Sequence, residues 1–213
     1  MKSYKILFAV LLLLALLSCS TQPIKIACVG DSITEGSGLA VQSKTAYPVA
    51  LGELLGPDYS VLNCGRSATT MSRNGDFPYW IAKEFSNVFA DSPDIIVIKM
   101  GTNDTKPQNW NIDDFMNSYQ AMIDTFNTIS SNPKIFLCYP VPVYETNWGI
   151  NDSTLIAGVI PAIEKIVAKN NLPVIDLYHG MQNQAENFPD GIHPNEKGAA
   201  IVARLIKQEL LKY

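Results

Sequence analysis

Five short, largely apolar runs in which hydrophobic residues follow one another without strict alternation constrain this chain more than any other feature. They are Ile24–Val29, Ser60–Asn63, Ile95–Met100, Ile135–Tyr139 and Val174–Leu177. Strands of this kind are covered on both faces, which is the condition of a buried parallel sheet. The segments between them carry a helical period, near Tyr47–Leu55, Trp80–Phe89, Ile112–Ser130, Thr154–Lys169 and Asn195–Leu211. In the third of these, Phe115, Tyr119, Met122, Ile123 and Phe126 recur every three or four residues and form one apolar face. In the last, Ile201, Val202, Leu205, Ile206 and Leu210 continue a similar spacing. Pro161 falls inside the fourth helical segment and leaves its start unset. Right-handed crossovers between parallel strands then predict an α/β fold, a doubly wound three-layer α/β/α sandwich around a five-stranded sheet. Ligands of such sheets bind where strands end, at their carboxyl edge.

The 213 residues fit one domain with a core of its own. A net charge of −4 and the lack of any lysine or arginine run exclude an electrostatic footprint for nucleic acid or a polybasic membrane patch. The N-terminus stands apart. Lys2 and Lys5 precede an apolar stretch from Ile6 to Leu17, then Ser18, Cys19 and Ser20. A basic start, about a dozen apolar residues and a small-residue zone describe a secretory signal, and the stretch is short for a bilayer span of ~20 residues. The segment Leu16-Leu17-Ser18-Cys19 resembles the bacterial lipobox. That resemblance implies a lipoprotein signal peptide over 1–18, lipidation of Cys19, a tether over 19–23 and a folded domain over 24–213. It further implies an exported, membrane-anchored protein whose only membrane contact is the lipid. Cys28, Cys64 and Cys138 sit in or beside strand-like runs as small buried hydrophobes, without the spacing of a metal site. Free thiols are expected, with a Cys28–Cys64 disulfide as the alternative.

Four short blocks carry polar residues at places where chemistry belongs. Gly30-Asp31-Ser32-Ile33-Thr34-Glu35-Gly36 follows the first strand and puts a serine on a sharp turn; it also reads as a polar turn with an N-cap. Asn63-Cys64-Gly65-Arg66-Ser67 follows the second strand, with a glycine that lets backbone approach a ligand closely, or merely makes a turn. Met100-Gly101-Thr102-Asn103-Asp104 follows the third and offers an uncharged amide suited to a developing oxyanion. Asp190-Gly191-Ile192-His193-Pro194-Asn195 precedes the last helical segment. An aspartate three residues before a histidine folds back to hold its Nδ1 proton, which leaves Nε2 as a base. The chain has 2 histidines. The other, His179, also follows an aspartate by three, Asp176.

Taken in order, the four blocks resemble those of the SGNH hydrolases, the GDSL esterase/lipase family, with Ile33 where a leucine is usual. The resemblance runs from Gly30 to about Gly198. It implies a flavodoxin-like sandwich and a serine ester hydrolase without metal or organic cofactor. Ser32 is then the nucleophile, His193 the base and Asp190 its partner. The backbone amides of Ser32 and Gly65 and the side chain of Asn103 form the oxyanion hole.

Trp80, Lys106, Gln108, Asn109, Trp110, Asn147 and Trp148 lie in or beside loops after strands. Aromatic faces mixed with amides suit a sugar ring, and family members with such loops look like carbohydrate O-acetyl esterases. Asp31, Trp110 and Trp148 are the candidate substrate contacts. The expected partner is therefore a small-molecule or glycan acyl ester. A lysophospholipase or thioesterase is the alternative enzyme, an acyltransferase acting on a sugar hydroxyl a third, and a non-catalytic glycan-binding lipoprotein the alternative class.

Overall fold

The structure, a computed structural model, describes residues 22–213. The signal segment and Cys19 lie outside the described residues. Five parallel strands, β1 (Ile24–Gly30), β2 (Tyr59–Gly65), β3 (Ile95–Lys99), β4 (Lys134–Tyr139) and β5 (Val174–Asp176), form one sheet in the order β2-β1-β3-β4-β5. The order reverses beside β1, so the ends of β1, β2 and β3 border the switch point where such sheets bind ligands.

Six principal helices cover the sheet: α1 (Ser32–Glu35), α2 (Tyr47–Leu55), α3 (Lys83–Asp91), α4 (Ile112–Phe126), α5 (Ile160–Asn170) and α6 (Glu196–Leu210). Alternate residues of each strand enter opposite layers. Ala27, Val29, Ile96, Ile98 and Leu137 pack with Val88, Phe115, Tyr119 and Ile163 of α3, α4 and α5. Ile26, Cys28, Val97, Phe136 and Ile175 pack with Tyr47 and Leu51 of α2 and with Val202 and Ile206 of α6. This is the expected three-layer sandwich. The same alternation separates Cys28 from Cys64, which belong to opposite layers, and all three described cysteines are free and buried.

Two helix starts differ from the sequence pattern, each for a local reason. The segment expected from Trp80 begins as a 3-10 turn, Tyr79–Ile81, breaks at extended Ala82 and becomes helical only at Lys83. Tyr79 is pinned by its hydroxyl, which donates to the Cys64 carbonyl at 2.6 Å, and the Trp80 indole donates to the Met71 carbonyl at 3.2 Å. These anchors hold the entry out of line with α3. The segment expected from Thr154 starts as a short turn, Asp152–Thr154, passes through a π-helical stretch, Leu155–Val159, and becomes α-helical at Ile160. Pro161 has no N–H to donate to the preceding turn, and the wider register absorbs the missing bond.

Candidate active site

Asp31 builds the turn after β1. Its carboxylate caps α1 by accepting the Ile33 N–H at 3.0 Å, and this fixes Ser32 as the first helical residue at the sheet's edge. From the far end of the chain, the loop before α6 returns to meet it. Asp190 Oδ1 accepts the backbone N–H groups of Ile192 at 2.9 Å and His193 at 2.7 Å, folding the Asp190–His193 segment into a tight loop. Its Oδ2 lies 2.7 Å from His193 Nδ1, and His193 Nε2 lies 2.8 Å from Ser32 Oγ. A carboxylate only accepts, so the ring proton sits on Nδ1 and Nε2 is left to receive the serine proton. Burial alone would raise the Asp190 carboxyl; the His193 amide and ring and the Ile192 amide outweigh it and hold the group below the usual carboxylate range.

The loop after β3 supplies the third element. Asn103 is buried and its Nδ2 donates to the Thr69 carbonyl at 3.0 Å, which leaves a second amide hydrogen. The Asn103 backbone carbonyl accepts from the Asn109 side-chain Nδ2 at 3.0 Å. Next to it, Asp104 accepts the N–H groups of Met71 and Ser72 at 2.9 Å each and so ties this loop to the one after β2. Burial pushes the Asp104 carboxyl up to about 6 against the pull of those amides.

Ser32, His193 and Asn103 line one cavity of about 300 Å³, together with Ser37, Ser67, Ala68, Lys106, Trp148 and Ile150. Trp148 is 65% exposed, with its ring centroid 5.9 Å from that of His193. Trp148 (φ 53°) and Ala68 (φ 65°) both hold left-handed backbone that side chains disfavour, and such strain persists where surrounding structure enforces it. On the polar wall, the Ser37 and Ser67 hydroxyls are 2.6 Å apart, and both bond the Glu35 carboxylate.

Three sequence expectations are corrected. Asp31 is fully buried and paired with Lys99, so it has no surface to offer a substrate. Trp110 packs over Gly158, where an added Cβ would lie 2.4 Å from the indole, and lines a separate pocket with Ser153, Thr154 and Ala157. The Gly65 N–H is engaged by the Asn63 side chain at 2.8 Å and does not point an unpaired amide into the cavity. Gly65 serves close approach instead, since a Cβ there would meet the Glu35 nitrogen at 2.1 Å. His179 pairs with Asp176 at 2.7 Å, but the pair is solvent-exposed near the end of β5 and does not line the Ser32 cavity. Ser37, Ala68 and Ile150 carry no expectation in the sequence, and Ser67 appears there only as the last residue of the second block; Ser37 and Ala68 directly follow the first and second blocks. Among the described residues no group of three or more His, Cys, Asp or Glu is placed to hold a metal ion.

A doubly wound parallel sheet with a serine, a histidine and an aspartate joined by hydrogen bonds at its carboxyl edge has the architecture of an α/β serine hydrolase. The chain belongs to the GDSL-like lipase/acylhydrolase family, whose model matches residues 28–201. It is 38% identical over 202 residues to an acetylxylan esterase of Xylanibacter ruminicola, covering 86% of this chain and 42% of that protein. A multidomain esterase of Ruminococcus flavefaciens is 30% identical over 111 residues, 50% of this chain and 14% of that one. The chain thus spans less than half the length of these curated relatives. Among solved structures, the lipase/acylhydrolase of Enterococcus faecalis superposes with a TM-score of 0.71 at 27% identity, covering 88% of this chain and 95% of that one.

Proposed function

We propose that this protein is a carboxylic ester hydrolase that removes O-acetyl groups from carbohydrate through an acyl-enzyme on Ser32. The observation that carries the reading is the unbroken hydrogen-bonded series Ser32–His193–Asp190 at the wall of a cavity. A serine hydroxyl is a weak nucleophile until a neutral imidazole within hydrogen-bond reach takes its proton. In this scheme Ser32 Oγ attacks the ester carbonyl as His193 Nε2 receives that proton, and Asp190 steadies the imidazolium. The free hydrogen of the Asn103 amide and the Ser32 N–H, in the first turn of α1 where amides lack helical partners, face the oxyanion. The alcohol leaves with the proton from His193, and water repeats the sequence on the acyl-enzyme.

Two features of the cavity support a sugar as the alcohol. Trp148 offers an exposed ring face, and the Ser37 and Ser67 hydroxyls, both bonded to the Glu35 carboxylate, offer hydrogen-bonding partners for sugar hydroxyls. The name of the Xylanibacter relative and the activity of a two-domain esterase on acetylated mannans (TM-score 0.65, 24% identity) are in keeping with this. We further propose export and lipid anchoring through Cys19, on the basic and apolar segment that precedes it.

The test is acetate release from acetylated xylan and mannan, beside a series of nitrophenyl esters and a lysophospholipid. Acetate is expected to be preferred over octanoate by at least about tenfold, and Ser32→Ala to reduce turnover by at least ~10³-fold with Tm nearly unchanged. Better cleavage of octanoate or lysophospholipid would replace the sugar reading with the lipid one. Substantial residual turnover in Ser32→Ala would remove the nucleophile.

A further inference from the structure

Lys99 is the last residue of β3 and is fully buried, an unusual place for an ammonium group. Each of its three N–H bonds has an acceptor: Asp31 Oδ1 and Oδ2, both at 3.0 Å, and Thr102 Oγ1 at 2.8 Å. Gly30 and Lys99 are paired across the sheet, so the ammonium lies beneath the point where two loops leave adjacent strands. One loop carries Asp31 and then Ser32; the other carries Thr102 and then Asn103. Lys99 therefore holds the residue immediately before each of two cavity-lining groups.

Stability is a weak account of this arrangement. Burial lowers the Lys99 pKa, with the Asp31 carboxylate opposing that shift. A buried ion pair is often no more stabilising than apolar residues of similar volume. What the pair does supply is direction, because each bond fixes an angle as well as a distance. An oxyanion hole requires that property: its donors must sit about 2.7–3.1 Å from the oxyanion, and a misplacement of about 1 Å costs about 10²-fold.

We propose that Lys99 is a positioning residue that sets the spacing between Ser32 and the Asn103 amide, acting through Asp31 and Thr102 without touching substrate. The proposal rests on the ester-hydrolase reading above, and wild-type turnover of nitrophenyl acetate, lost in Ser32→Ala, tests that reading separately. The decisive variant is Thr102→Val, which removes the hydroxyl acceptor and leaves the Asp31–Lys99 pair in place. Rates are normalised to sites titrated with a fluorophosphonate, so that misfolded molecules do not count. kcat per titrated site is expected to fall about tenfold with KM within about twofold, because the ester ground state makes little use of the oxyanion donors. Thr102→Ser keeps the hydroxyl and is expected to return kcat to within about twofold of wild type. Asp31→Asn combined with Lys99→Met removes both charges and is expected to lower kcat per site by about 10²-fold. A loss of titratable sites without loss of kcat per site, in Thr102→Val, would reduce Lys99 to a structural role and overturn the proposal. Failure of Thr102→Ser to restore the rate would do the same.

Discussion

Asp176 and His179 show at the residue scale that an aspartate three positions before a histidine makes the same local pair wherever it occurs. Both dyads have the carboxylate 2.7 Å from Nδ1. Only His193 has a serine hydroxyl on its other nitrogen, and that partner is 161 residues away in sequence. The local motif was legible; which copy meets Ser32 depended on the sheet order and on recognising all four blocks together. Asp31 shows the opposite case: it is a candidate substrate contact in the sequence, while its side chain turns inward to Lys99. Asn103→Ala should lower kcat by about 10²–10³ if its amide meets the oxyanion, and steady-state kinetics on nitrophenyl acetate checks this. Asp190 gives a pH expectation with a definite sign. Its folded pKa lies below the unfolded value, so its contribution to stability is present above about pH 4 and is lost as pH falls through the folded pKa. The Tm difference between wild type and Asp190→Asn should therefore be largest above about pH 5 and shrink below about pH 4 in thermal melts.

Elements were legible where hydrophobic pattern alone decides them. α2 runs over Tyr47–Leu55 as its period indicates, and every strand falls within two residues of its apolar run at either end. Elements were misjudged where a single side chain or a missing hydrogen decides. The Tyr79 and Trp80 anchors delay α3, Pro161 imposes the π-helical stretch, and Gly158 opens the notch that draws Trp110 away from the Ser32 cavity. The Tyr79, Trp80 and Gly158 contacts pair residues of different segments, which periodicity does not record, whereas Pro161 acts within its own segment. Gly65 belongs here as well. Because the obstructing atoms are the backbone of Thr34 and Glu35, no rotamer change accommodates a Cβ, and β2 must move away from α1. Gly65→Ala is expected to cost about 1–3 kcal/mol, a Tm decrease of roughly 2–12 °C by calorimetry. An unchanged Tm in Gly65→Ala would overturn the close-approach reading.

At the scale of the whole molecule, the basic and apolar N-terminal segment bears on where the protein sits. No helix among the described residues is long and apolar enough to cross one, and the chain carries a net charge of −4. An anionic protein gains nothing from the negative surface potential of a bilayer. The proposed anchor is the segment before the sheet, where Cys19 follows the apolar stretch Ile6–Leu17. Acyl chains contribute about 0.8 kcal/mol per buried CH₂, and one chain binds only reversibly, so stable anchoring needs more than one chain on that residue. Cys19→Ala expressed in a bacterial host should shift the protein from the membrane pellet to the soluble fraction while kcat on nitrophenyl acetate stays at the wild-type value. The mature wild-type protein should in addition carry a mass increment corresponding to acyl groups on Cys19. Retention of the alanine variant in the membrane pellet, or a wild-type protein of unmodified mass, would assign the N-terminal segment a different role and leave the hydrolase chemistry untouched.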